Sequence, residues 1–236
     1  MASSRATARQ RRSPLSDDAA SARQKRAAAQ AAAELVQDGM RLGLGTGSTV
    51  AHLLPAIAAR GCAGLRCVAT SPATEAAARA LGLTVEALDD VGELDLAIDG
   101  ADEIDPRGWL VKGGGGAHTR EKIVAVSAKR FVVIASAEKA VAELAPPVPL
   151  ELLAFGVQRT LLALAPAQLR AVERSPDGGL IADYLGPVAD PGELSEKLSA
   201  TAGVVEHGLF APELVSLILI ATDSGVERRA GAKPGS

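Results

Sequence analysis

The sequence predicts an α/β protein: a parallel sheet covered by helices on both faces, joined to a smaller α+β unit. Three observations carry this. Short apolar runs alternate with helix-forming stretches through the first part of the chain. A proline cluster, "APPVP" (145–149), interrupts the alternation. A long apolar run, "ELVSLILIAT" (213–222), then reads like the earlier strands and returns the chain to the large sheet.

Taken in order, the Ala-rich stretch 17–38, mixed with Lys, Arg, Gln and Glu, is a strong helix stopped by Gly39. "MRLGLG" (40–45) is a short buried strand, followed by a helix from Thr46 to Arg60. "RCVAT" (66–70) is a strand. Ser71 then caps a helix with Pro72 at its first position. "LTVEAL" (83–88) and "LDLAID" (94–99) are further strands, and "WLV" is a short one just before Lys112. "TREKIVAVSAK" (119–129) is a helix and "FVVIAS" (131–136) a strand. Beyond the prolines come a helix near 155–164 and two strand-like runs, "LRAVER" and "GLIADYL". The turn signal "SPDGG" joins those runs as a hairpin. A helix near 190–200 and a strand, "GVVEHGLF", complete the small unit. The expected division is 17–146 plus 208–228 for the large domain and 147–207 for the small one, with disordered tails at 1–16 and 229–236.

Composition narrows the function. With 236 residues, 47% apolar but only 2% aromatic, the core is built from Ala, Val, Leu and Ile. A net charge of -3 argues against a nucleic-acid partner, which wants a clustered basic face. Two cysteines, Cys62 and Cys67, fit a reduced cytoplasmic protein and read as small core residues rather than metal ligands. No apolar run reaches the ~18 residues of a membrane span. "MASSRATARQRRSPLS" holds four Arg and no acid, as transit peptides do, although a tail without a role explains it as well.

Three motifs carry chemistry. "GLGTGST" (43–49) lies where a strand meets a helix. Its glycines admit a ligand to the backbone, and the helix N-terminus offers N–H groups to a phosphate or carboxylate. No Lys follows as in a P-loop, and the dinucleotide fingerprint is incomplete, so no cofactor is implied. A tight turn with no ligand is the plainer account. "DGADEID" (99–105) follows an apolar strand and gathers Asp99, Asp102 and Glu103 near the same crevice. Such acids manage hydroxyl protons, hold a divalent metal, or simply face solvent. "KGGGGAHTREK" (112–122) sets Lys112 before four glycines and Glu121 after them, in the first turn of a helix. A cation facing an acid across donor-rich backbone suits chemistry that develops an oxyanion. His52, His118 and His207 are too scattered for a metal site, and only His118 lies near the glycines.

These three motifs, in this order and spacing, closely resemble those of type A ribose-5-phosphate isomerases, with similarity running from about Gln24 to Val226. The resemblance implies a Rossmann-like domain with a smaller α+β domain, and a metal-free, cofactor-free interconversion of ribose 5-phosphate and ribulose 5-phosphate. It implies Glu121 as the base, Asp99 and Asp102 on the sugar hydroxyls together with Gly100 and Ala101, and Lys112 with the amides of Gly113, Gly114 and Gly115 on the enediolate. Thr46, Gly47, Ser48 and Thr49 would hold the far end of the substrate, aided by Lys139 and Lys25. It also implies a homodimer or homotetramer. His118 departs from the family's usual apolar residue. An exposed carboxylate near pKa 4.3 is a weak base. The helix N-terminus holds Glu121 down and desolvation raises it, and the expectation is that desolvation wins once substrate fills the cleft. A related sugar-phosphate deaminase or lactonase, and a non-catalytic sugar-phosphate sensor, are the rival readings.

Overall fold

The computed structural model describes residues 14–233. The reading of 1–13 as a tail lies outside them, whereas 14–16 belong to the first helix. That helix, α1, spans Pro14–Ala33 and is followed by β1 (Arg41–Leu44), α2 (Val50–Arg60), β2 (Arg66–Ala69), α3 (Pro72–Ala80) and α4 (Leu88–Val91). Next come β3 (Leu94–Gly100), the short pair β4 (Glu103–Ile104) and β5 (Leu110–Val111), α5 (His118–Val126) and β6 (Ala128–Ser136). A smaller group follows: β7 (Val148–Leu152), α6 (Val157–Ala163), β8 (Ala167–Leu169), β9 (Leu180–Tyr184), α7 (Pro191–Ala200) and β10 (Val204–His207). The chain closes with β11 (Leu209–Phe210), β12 (Leu217–Thr222) and β13 (Gly225–Ala230).

Six strands form the main sheet in the order β13-β12-β6-β3-β1-β2, all parallel except the edge strand β13. Their central members are near-continuous apolar runs because both faces are covered. One face packs against α1 and α2 through Ala28, Ala32, Leu53 and Ile57; the other packs against α5 and Phe210. Local sequence sets the helix starts. Ser71 accepts the Thr74 N–H and Asp190 accepts those of Gly192 and Glu193, each just ahead of a proline at the first helical position. A second sheet, β10-β7-β9-β8, is antiparallel, with its own core of Val148, Leu150, Leu198 and Tyr184. The turn at 175–179 joins β8 to β9 as a hairpin, with β8 placed ahead of most of "LRAVER".

Several elements differ from expectation. "LTVEAL" is not a strand: Val85 makes one bridge to Cys67 before the chain coils into α4, since β2 already holds the sheet edge. "GVVEHGLF" splits at Gly208, sending β10 to the small sheet and β11 to pair with β5. The proline cluster runs directly into β7. Residues 229–230, read as part of a tail, pair with Ile218 and Leu217 in β13, where an edge strand tolerates the charges of Arg228 and Arg229. Residues 234–236 lie outside the described part.

Candidate active site

The carboxyl ends of β1 and β3 lie side by side, where a parallel sheet leaves a crevice. Thr46, Gly47, Ser48 and Thr49 enter it from the β1–α2 turn, and Gly100, Ala101 and Asp102 from the end of β3. Lys112, Gly113, Gly114 and Gly115 follow β5, Glu121 comes from α5, and Lys139 comes from the short 3-10 turn after β6. Together they enclose about 110 Å³. Larger grooves of about 840 and 710 Å³ exist elsewhere, but no buried ionisable side chain lines them.

Lys112 is 3% exposed and sits between two carboxylates, 2.9 Å from Asp99 Oδ2 and 3.2 Å from Glu121 Oε2. Its Nζ also donates to the Gly100 carbonyl at 2.6 Å. The Phe210 ring lies 5.4 Å away, adding a cation–π contact on the apolar side. Burial alone would favour the neutral amine, but Asp99 and Glu121 outweigh it and hold Lys112 above its ordinary range. The Lys112 N–H, bonded to the Gly208 carbonyl at 2.8 Å, anchors the residue after β5.

The two acids differ in what surrounds them. Asp99 Oδ1 accepts N–H bonds from Gly100 at 2.7 Å and Thr46 at 3.1 Å. Glu121 has no such backbone donors. Burial raises both carboxyls, and Lys112 opposes the shift. Glu121 is pushed up to about 8, chiefly by burial and then by the Asp99 charge. Sequence reasoning expected desolvation to win only after substrate arrives. The structure corrects this: Glu121 is already 5% exposed in the free protein.

Two site residues fall outside the cleft wall. Asp99 is 2% exposed and lies beneath the floor, under Gly45, where an added Cβ would come 1.9 Å from Asp99 Oδ1. That contact explains the glycine before Thr46. Lys25 does not line the cleft; on α1 its charge acts on Glu138 instead. Glu103, grouped with the site acids by sequence, turns away to accept the Ala145 N–H at 2.8 Å. Asp102 stays at the wall, its Oδ2 accepting the Gly114 N–H at 2.8 Å. His118 is buried against Gly113 rather than open to a ligand, and burial holds its ring neutral, down at about 3. The α2 N-cap, Thr49, makes no side-chain cap bond, and the Ala51 and His52 N–H groups bond to the Gly47 and Thr49 carbonyls at 3.0 and 3.1 Å. Among the described residues no group of three His, Cys, Asp or Glu is placed to hold a metal, and no helix is long and apolar enough to cross a membrane. Sequence reasoning missed Phe210 and Arg170, which touch the site from distant segments without a local motif.

The profile of the family described as ribose 5-phosphate isomerase A (phosphoriboisomerase A) matches residues 66–225. A ribose-5-phosphate isomerase A from Caulobacter vibrioides is 48% identical over 220 residues, covering 87% of this chain and 96% of the relative. One from Lacticaseibacillus paracasei is 43% identical over 217 residues, covering 86% and 94%. Among solved structures, ribose 5-phosphate isomerase A from Neisseria gonorrhoeae superposes with a TM-score of 0.85 at 30% identity, covering 89% of this chain and 97% of that one. A D-ribose-5-phosphate isomerase in complex with phospho-erythronic acid superposes with a TM-score of 0.83 at 32% identity, covering 88% and 98%. Matching sequence along most of the chain, and matching backbone over the same span, place it: this chain belongs to the ribose 5-phosphate isomerase A family.

Proposed function

We propose that this chain interconverts D-ribose 5-phosphate and D-ribulose 5-phosphate through an enediolate, with Glu121 as the base. The observation that carries the reading is the buried Lys112 ammonium 3.2 Å from the Glu121 carboxylate at the wall of one cleft. In this reading ionised Glu121 takes the proton from C2 of the open-chain aldose. The C2–H electron pair becomes the C1–C2 double bond, and the carbonyl electrons move to O1. Lys112 and the Gly113–Gly115 amides stabilise that oxyanion. Asp102, at the wall, passes the hydroxyl proton from O2 to O1. Glu121 returns its proton to C1, leaving the carbonyl at C2. Asp99, below the floor, keeps Lys112 charged. Thr46, Gly47, Ser48, Thr49 and Lys139 take the phosphate at the α2 N-terminus. That a similar enzyme was solved in complex with phospho-erythronic acid, a phosphorylated sugar acid, supports a phosphorylated sugar as the ligand.

A base with a pKa near the working pH suits abstraction of a carbon-bound proton. Glu121→Gln is expected to bind ribose 5-phosphate yet lose about 10²–10⁴ in kcat, the usual worth of a positioned acid–base group. A loss under about tenfold, roughly 1.4 kcal/mol, removes Glu121 from this role. Because Lys112 supplies the positive charge, turnover is expected to survive EDTA. Formation of ketose excludes the deaminase or lactonase reading, and binding without turnover would favour the sensor. A cytoplasmic location and a homodimer or homotetramer belong to the same reading; light scattering checks the assembly.

A further inference from the structure

A side chain of the small unit holds the glycine loop of the cleft from behind. Arg170, just after β8, is clamped by Asp183 of β9: Nε donates to Oδ2 at 2.7 Å and Nη2 to Oδ1 at 2.6 Å. Its Nη1 is left to donate to the carbonyls of Gly113, at 3.1 Å, and Gly114, at 3.0 Å. A peptide's carbonyl belongs to one residue and its N–H to the next. Arg170 therefore holds the two peptides whose N–H groups are those of Gly114 and Gly115, both at the cleft wall. The loop needs such a hold. Its glycines restrict their own backbone least of all residues, and Gly113 (φ 98) and Gly116 (φ 76) occupy the left-handed region. Within the loop, the Gly116 N–H bonds to the Gly113 carbonyl at 3.0 Å. The guanidinium, 17% exposed and held by a carboxylate, is a rigid planar donor fork.

We infer that Arg170, oriented by Asp183, is a positioning residue that fixes the glycine loop and polarises two of its peptides: the one whose Gly114 N–H holds Asp102 and the one whose Gly115 N–H meets the developing enediolate. Donation to a carbonyl strengthens the N–H of the same peptide, so the hold acts on geometry and on donor strength together. The inference rests on the isomerase reading for the enediolate and on the observed bonds for the loop. It makes the small sheet a functional part of the site: a positive charge outside the cleft acts through main chain it never leaves.

The test compares wild type with Arg170→Ala, Arg170→Lys and Asp183→Asn in steady-state kinetics and in amide hydrogen exchange. Removing one oxyanion donor costs about 10²–10³ in kcat; one donor loosened rather than lost, together with a loosened Asp102, predicts about a thirtyfold fall for Arg170→Ala. The KM for ribose 5-phosphate is expected to stay within about twofold, because other residues hold the phosphate. Lysine keeps the charge but not the fork, so Arg170→Lys recovers only part of kcat. Added guanidinium ion is expected to restore part of kcat to Arg170→Ala, whereas equal sodium chloride does not. Amides of 113–116 are expected to exchange about tenfold faster in Arg170→Ala, with the six-stranded sheet unchanged. An unchanged kcat, a loss carried by KM, or unaltered exchange in the loop overturns the inference. If wild type fails to turn over ribose 5-phosphate, the isomerase reading falls. The exchange measurement then still decides whether Arg170 holds the loop.

Discussion

Two buried glutamates, Glu121 on α5 and Glu151 on β7 of the small sheet, do different things. Glu121, 5% exposed, faces a cleft and shares its surroundings with Lys112 and Asp99. Glu151 on β7 is 2% exposed, and its two oxygens accept the hydroxyls of Thr119 and Ser175. Gly179 seals it: an added Cβ there would stand 2.1 Å from Glu151 Oε1. Burial is common to both, so burial alone does not make a base. Glu121 has an open side, few competing donors and a cation that, in the proposed mechanism, stabilises the charge its action creates. Glu151 is saturated and closed; it ties α5, through Thr119, to the turn at 175–179. Arg120, next on α5, reinforces that tie with a two-pronged pair to Asp177 at 2.6 and 2.7 Å, although its exposure limits the gain.

The contrast breaks most sharply at Lys112. Lys112→Met is expected to abolish measurable turnover and to destabilise the fold by about 3–5 kcal/mol, because two buried carboxylates lose their common cation. Kinetics and denaturant unfolding read both; a variant of normal stability would mean that Asp99 and Glu121 are not held by that charge. Next in size is pH. A general base works deprotonated, and Glu121 is raised to about 8, so kcat/KM is expected to rise with pH and level off above that value. Below it the fall is about tenfold per pH unit. A profile flat from pH 6 to about 9 would remove the buried-carboxylate account. The stability of Glu121→Gln carries a matching sign. A carboxyl raised on folding contributes stability that is present below its unfolded pKa and lost as pH climbs through the folded one. The variant should therefore gain on wild type in melting temperature as pH rises toward about 8.

At the far end of the cleft, Lys139→Ala should raise KM about tenfold while kcat stays within about threefold, since a remote phosphate contact supplies binding rather than chemistry. The smallest effect belongs to Glu151→Gln. Hydroxyls can rotate to serve the amide, so the expected cost is about 1–2 kcal/mol and kcat within about twofold. A collapse of turnover there would give the small sheet's carboxylate a part in the chemistry and erase the distinction drawn above.

Much of the site was legible before folding because its constraints are local. The glycines of "GLGTGST" and "KGGGG", the acid in a helix's first turn and the apolar strand before Asp99 each report what their own few residues must do. "LTVEAL" shows the limit. Its alternation is that of a strand, but only Val85 finds a place beside Cys67, and periodicity cannot count the room at a sheet edge. "GVVEHGLF" shows another, since Gly208 divides one apolar run between two sheets that only the assembled fold defines.

By itself the sequence determined the alternation of elements, the glycine turn after β1, the cation and the acids. It could not separate Asp99 from Asp102, three residues apart on one segment. Tertiary structure did so: Asp99, still in β3 and paired with Val133 of β6, lies beneath the floor, while Asp102 stays at the wall. Nor could any local pattern link Arg170 to Gly113, because that contact joins residues 57 apart. How far burial raises a carboxyl and which guanidinium holds a loop depend on burial and distance between remote segments, quantities that exist only once the chain has folded.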